Sequence, residues 1–346
     1  MSFGLAARAA VDAMMVFYDR PSGRWEPDRP WWQSGNALQA LLDYMLRSGD
    51  REYLWVLDHT VEIQREVYMG GEFRSDSTDD TAWWALACVR AYDLTGQSRY
   101  LEIARTATRW IGSYWDDTCG GGVWWDVPQR TYKNAISNEL YLKLLAALHN
   151  RTPGDTADLG RALETWRWFL ASGMLNDADL INDGLVNDGL VNDGLVNDGL
   201  ARDGRCVNNG GETWTYNQGV ILGALVELHR ATGDGELLGV ARRIATATTT
   251  SAHLSPGGIL TEPGEESGAG DDGPSFKGIF VRNLDELDRV LPGRPYRAYL
   301  LRQAESALAF ARDDQHRYGL RWAGPFDFAD TARQTSAVDL LTAALP

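Results

Sequence analysis

Residues 79–114 read DDTAWWALACVRAYDLTGQSRYLEIARTATRWIGSY and hold the architecture in miniature. Apolar residues recur every three to four positions on both sides of Thr95-Gly96-Gln97, the spacing of one helix followed by another. Gly96 supplies the left-handed residue that ends a helix, and the polar residue after it suits the start of the next. The stretch is therefore a helical hairpin with a tight glycine link. The same device recurs at Ser48-Gly49-Asp50, Thr152-Pro153-Gly154-Asp155, Thr232-Gly233-Asp234 and Pro292-Gly293-Arg294. Along the rest of the chain the periodicity predicts about twelve helices, with almost no strand alternation. They fall at roughly 3–18, 33–47, 51–68, 79–95, 98–114, 134–150, 156–172, 215–231, 235–250, 275–290, 295–311 and 331–344. The other links, about 19–32, 69–78, 115–133, 173–214, 251–274 and 312–330, are long and hold most of the Trp, Gly and Asn. Six pairs with one short-loop end and one long-loop end predict an all-α (α/α)6 barrel, a six-hairpin toroid. Helices after the long links form its inner ring, and a site is expected where their N-termini meet the long loops.

Composition narrows the function classes. The chain has 346 residues, 44% hydrophobic and 23% charged, an ordinary globular balance. The hairpin repeat accounts for that length as a single domain over 1–346. A net charge of −15 repels phosphate backbones and anionic membranes, so neither nucleic acid nor membrane is an expected partner. Fourteen Trp exceed what a core needs and suggest platforms for flat faces such as those of sugars. The five His show no HExxH and no i,i+4 pair, so no metal is expected. No Gly-x-Ser-x-Gly elbow is present. Three Cys, an odd and sparse set, argue against a disulfide framework, although Cys119 and Cys206 both fall in loop-like stretches where one bridge stays open. Met1-Ser2-Phe3-Gly4-Leu5 has neither a basic n-region nor an apolar h-region, which predicts a cytoplasmic protein. Residues 181–200 repeat Asn-Asp-Gly-Leu in tandem inside the longest link. The spacing matches no EF-hand loop, and replication slippage explains the insertion better than calcium binding does.

The candidate chemistry sits at helix starts. Asp79 and Asp80 open the fourth helix, with Trp83 and Trp84 one turn on. Acids at a helix N-terminus also serve as caps. Adjacent carboxylates repel, however, so one stays protonated while the other ionises, and that split is what glycoside cleavage needs. A carboxyl separation near 5 Å would imply a retaining mechanism. Trp124 and Trp125 follow three glycines and offer stacking surfaces, one of them expected in the core and one exposed. Tyr132, Lys133, Asn134 and Asn138 supply hydrogen-bonding groups before the next inner helix. Similar mixtures open three more inner helices: Trp31 and Asn36; Tyr216, Asn217 and Gln218; Phe276 and Lys277.

With these strings in view, the chain resembles glycoside hydrolase family 76, the endo-α-1,6-mannanases. The resemblance rests on Asp-Asp-x-x-Trp-Trp at 79–84, Gly-Gly-Gly-Val-Trp-Trp at 120–125, Tyr-Lys-Asn-Ala-Ile-Ser-Asn-Glu at 132–139, Trp-Thr-Tyr-Asn-Gln-Gly at 214–219 and Pro-Ser-Phe-Lys-Gly-Ile-Phe at 274–280. It implies an (α/α)6 barrel and retaining endo-hydrolysis of α-1,6-linked mannan or manno-oligosaccharides. Such a two-acid reaction needs no cofactor, and a monomer is expected. The resemblance further implies Asp79 as nucleophile and Asp80 as general acid/base; the residues alone leave that assignment open. The family's Asn-Asp-Gly-Leu aspartate contacts sugar hydroxyls, and here Asp183, Asp188, Asp193 and Asp198 compete for the role, Asp198 being nearest Cys206. Two other readings remain. One is another sugar-active (α/α)6 enzyme, such as an unsaturated uronyl hydrolase or an epimerase. The other is a non-catalytic mannan-binding barrel.

Overall fold

The computed structural model describes residues 1–175 and 206–346. The tandem repeat, with Asp183, Asp188, Asp193 and Asp198, lies outside them. Among the described residues the chain forms twelve α-helices: α1 (Phe3–Met15), α2 (Trp31–Ser48), α3 (Leu54–Gln64), α4 (Thr78–Thr95), α5 (Ser98–Gly112), α6 (Ala135–Asn150), α7 (Ala157–Ala171), α8 (Thr215–Thr232), α9 (Gly235–Thr250), α10 (Phe276–Val290), α11 (Arg297–Phe310) and α12 (Thr331–Ala343). Two-residue strands, β1 (Tyr18–Asp19) and β2 (Arg24–Trp25), pair antiparallel in the first long link. Gly49, Gly96 and Gly233 end α2, α4 and α8 in the left-handed conformation, as the short links require. The largest departure from the sequence pattern is α3, which stops at Gln64 rather than near residue 68. Glu72 and Phe73 take positive φ just beyond it, and Phe73 is buried against Trp84. Tertiary packing there outweighs helical periodicity.

The even-numbered helices pack in a closed ring, α2 on α4, α4 on α6, α6 on α8, α8 on α10, α10 on α12 and α12 back on α2. The odd-numbered helices lie outside. This is the (α/α)6 barrel. Inner helices are covered on every side, so their buried residues run all round rather than along one stripe. Close approach there depends on glycine. A Cβ on Gly219 of α8 would fall 2.5 Å from the Phe280 Cα of α10.

Below their N-terminal turns the inner helices close around a network of shielded charge. Arg90 pairs with Asp43 at 2.8 Å and also with Glu286. Lys143 Nζ reaches Glu286 at 3.0 Å and donates to Asn283. Arg151 bridges Asp93 at 2.7 Å and Glu227 at 3.2 Å. Arg282 donates to Asn36 and meets Asp339 at 3.5 Å. All six inner helices contribute. Shielded pairs of this kind add little net stability, but breaking one leaves its partners with little water to replace the lost bond. Arg90→Met leaves Asp43 and Glu286 partly shielded and without this partner, and is expected to cost about 1–3 kcal/mol, read as a lower urea midpoint in equilibrium unfolding.

Cys119 and Cys206 form a disulfide across 87 residues of sequence, settling the pairing that the sequence left open; Cys88 is free and buried. Cys206→Ser is expected to lower unfolding free energy by about 2–4 kcal/mol. Adding reductant to the wild type should reproduce that loss and leave the variant unchanged.

Candidate active site

The inner-helix N-termini and the long loops meet at one end of the barrel. Ser77 precedes α4 in an extended conformation, which places Asp79 and Asp80 in the first helical turn. The loop carrying Trp124 and Trp125 is stitched onto this turn. The Thr78 N–H donates to the Trp125 carbonyl at 2.9 Å, and the Thr78 hydroxyl donates to the Trp124 carbonyl at 2.7 Å. These bonds bring Trp125 Nε1 to Asp79 Oδ2 at 3.1 Å.

Asp79 lies in a pocket of about 360 Å³ with Trp125, Tyr132, Asn134, Trp214, Tyr216, residues 269–273 and Phe276. That is the size of a small-molecule cleft. Tyr216 stacks on Phe276 with ring centres 3.8 Å apart, and Trp214 meets the same ring edge-on. The Tyr132 hydroxyl accepts from Asn209 Nδ2 at 2.9 Å, and Asn134 caps α6. The lining includes three carboxylates and no basic side chain. Behind it, Glu262 accepts from the Thr215 N–H at 3.0 Å and fixes the start of α8. Burial pushes Glu262 up to about 8 against its bonds from Thr215.

The two acids differ in their surroundings. Burial raises Asp79 to about 7, against hydrogen bonds to its charged form from the Asp80 backbone N–H at 3.0 Å and from Trp125. Asp80 is held well above the usual carboxylate range, first by burial and then by the charges of Asp79, Asp272 and Asp76. Only the Ser75 hydroxyl, 3.5 Å from Oδ2, opposes this. Asp79 is thus the partner that ionises first, and Asp80 the one that keeps a proton.

Several residues chosen from the sequence are placed elsewhere. Trp83 and Trp84 are core, Trp83 stacked on Trp32 and Trp84 on Phe73. Trp31 is buried and donates to Gln64 at 2.7 Å. Asn36 is held by Arg282 in the axial network. Trp124 donates to Asp116 from the core side of its loop, while half-buried Trp125 faces the pocket. Lys133 is buried beneath that loop, bonded to Asp116 and to the carbonyls of Thr118 and Gly121. Asn138 ties down both the N–H and the carbonyl of Val123. Asn217 and Gln218 are buried in α8. Lys277 points away from the pocket to Glu265 at 2.7 Å and the Leu320 carbonyl. Trp83, Trp84 and Asn36 stand beyond the first turn of inner helices, where neighbouring helices surround them; Trp124 and Lys133 lie on the core side of the loop before α6; and Trp31, Asn138, Asn217, Gln218 and Lys277 begin inner helices but are buried rather than turned to the pocket. Trp214 and Asp272 line the pocket; they belong to the strings that open α8 and α10 but were not among the individual residues chosen from them. Both stand just before an inner helix, the position that would have flagged them.

Residues 2–345 match the model of glycosyl hydrolase family 76. The chain belongs to that family. It is a glycoside hydrolase of the α-1,6-mannanase kind. It is 24% identical over 329 residues to the mannan endo-1,6-alpha-mannosidase DCW1 of Saccharomyces cerevisiae, spanning 88% of this chain and 69% of that one. An inactive variant of the alpha-1,6-mannanase GH76A of Salegentibacter sp. HEL1_6, with two consecutive aspartates replaced by alanine, was solved with alpha-1,6-mannotetrose. It superposes with a TM-score of 0.87 at 27% identity, covering 100% of this chain and 99% of that one. The Lin0763 protein of Listeria innocua gives 0.83 at 26% identity, covering 99% and 97%.

The indole bond has a measurable consequence. It favours the charged form of Asp79, so removing it raises that group's pKa. Trp125→Phe is expected to move the acid limb of kcat/KM upward from near 7 by about one unit, the scale of one hydrogen bond to a charged group. An unmoved limb in the variant's pH–rate profile would mean that the bond does not act on the ionising group.

Proposed function

We propose that the protein is a retaining endo-hydrolase of α-1,6-linked mannan. The observation that carries this reading is the Trp125–Asp79 bond in the pocket of a family 76 chain, with Asp80 beside Asp79 in the same helical turn. The Salegentibacter relative with both of its consecutive aspartates replaced is inactive and holds alpha-1,6-mannotetrose. We read Asp79-Asp80, the adjacent acid pair that opens an inner helix, as the equivalent of that pair. The lining favours a neutral ligand: three carboxylates without a cation repel uronate substrates, and aromatic rings suit sugar faces.

The reaction divides between the two acids. Asp79, ionised and oriented by the Trp125 indole, attacks the anomeric carbon. Asp80 gives its proton to the leaving O6 as that bond breaks. With the aglycone gone, Asp80 is a carboxylate and takes a proton from water. The water oxygen then attacks the anomeric carbon and releases Asp79, returning the original configuration. The disulfide bears on location. Structural disulfides persist in oxidising compartments, which favours work outside the cytosol over the expected cytoplasmic setting.

Asp79→Asn and Asp80→Asn are each expected to lower turnover of linear α-1,6-mannan by at least about 10²-fold, as loss of an acid–base group does. Early NMR spectra of wild-type digests should show the α-anomer before mutarotation. A β-anomer as first product, or near-normal rates in either variant, would overturn the mechanism.

A further inference from the structure

Asp272 exchanges no proton or bond in the two-acid cycle, although its charge helps Asp80 keep its proton. Asp272 stands on the wall formed by residues 269–273, and its side chain is open to the pocket. The wall is gripped from the start of α2. Trp32 Nε1 donates to Asp272 Oδ1 at 2.9 Å, and Gln33 Nε2 donates to the Asp271 carbonyl at 2.7 Å. Arg29 approaches Asp271 at 3.6 Å and Asp330 at 3.3 Å, so its charge is engaged away from Asp272. The Trp32 ring is itself fixed, buried and stacked between Trp83 and Phe276. One oxygen of Asp272 is thus anchored. No hydrogen bond or ion pair to Oδ2 is formed among the described residues.

A carboxylate oxygen held in a cleft without a cation calls for neutral donors. Sugar hydroxyls are such donors, and two neighbouring ones can share a single carboxylate. We propose that Asp272 is a substrate-binding residue whose Oδ2 accepts hydroxyls of the sugar unit seated beside Asp79. The inference rests on the mannanase reading above and extends it to a third carboxylate with a binding rather than a bond-breaking role. Trp32 acts through Asp272 as a positioning residue: its indole sets which carboxylate oxygen faces the ligand.

Binding separates this role from catalysis. In an Asp79→Asn background, calorimetry with α-1,6-mannotetraose is compared with the same background carrying Asp272→Ala. The second change is expected to weaken Kd by about 10–100-fold, the value of a hydrogen bond to a charged group. In otherwise wild-type protein, Asp272→Ala should raise KM by a similar factor while kcat falls less. Asp272→Glu should recover part of the affinity, which a purely structural role would not allow. Unchanged Kd, or a fall confined to kcat, would overturn the assignment and leave the mannanase reading intact. An Asp79→Asn protein that binds no mannotetraose at all would overturn both.

Discussion

Buried charge at the barrel axis is the constraint on which the rest hangs. Lys143 and Arg282 are buried and Arg90 and Arg151 partly shielded from water, and they are answered by Asp43, Asp93, Glu227, Glu286 and Asp339. No single hairpin can satisfy these groups. They find partners only when all six inner helices close in one rotation and one register. Apolar packing alone would tolerate small slips between neighbouring helices, whereas a mispaired buried charge costs several kcal/mol. The network therefore specifies the ring, and the ring fixes where the six N-termini stand at the opposite end.

That opposite end uses the same physics more sparingly. Asp79 and Asp80 are half-buried at a helix start, and their donors differ: Asp79 receives the Trp125 indole and a backbone N–H, Asp80 only a long bond from the Ser75 hydroxyl. The Trp125 indole and the Asp80 backbone N–H favour charge on Asp79. Asp80 faces the carboxylates of Asp79, Asp272 and Asp76 and one weak hydroxyl donor. Two chemically identical side chains thus acquire opposite protonation, and the asymmetry comes from a loop 46 residues away in sequence. The Cys119–Cys206 bridge ties that loop to the segment leading into α8, which brings Trp214 and Tyr216 to the pocket. The staple and the site share one scaffold.

Much of this was legible in the chain. Alternating short glycine links and long Trp-rich links gave the hairpin pairing and predicted which helices lie inside. The acid pair stood out because helix starts on the long-loop side are few and adjacent carboxylates are costly. The pattern could not rank residues within a motif. Asn134 and Asn138 lie one turn apart in one string, yet Asn134 lines the pocket while Asn138 binds the Val123 backbone. Phe276 and Lys277 are neighbours that face opposite ways. Trp83 and Trp84 share their string with the acids and pack into the core.

Local sequence thus settled the elements, their order and the chemical types gathered at one end, because periodicity, glycine links and capping act over a few residues. Which atoms face the cleft, which acid keeps its proton and which polar groups merely hold loops together were settled on folding. Those outcomes depend on distances between segments far apart in the chain, as with Trp125 to Asp79 and Trp32 to Asp272. No local pattern encodes such distances; they exist only once the ring has closed.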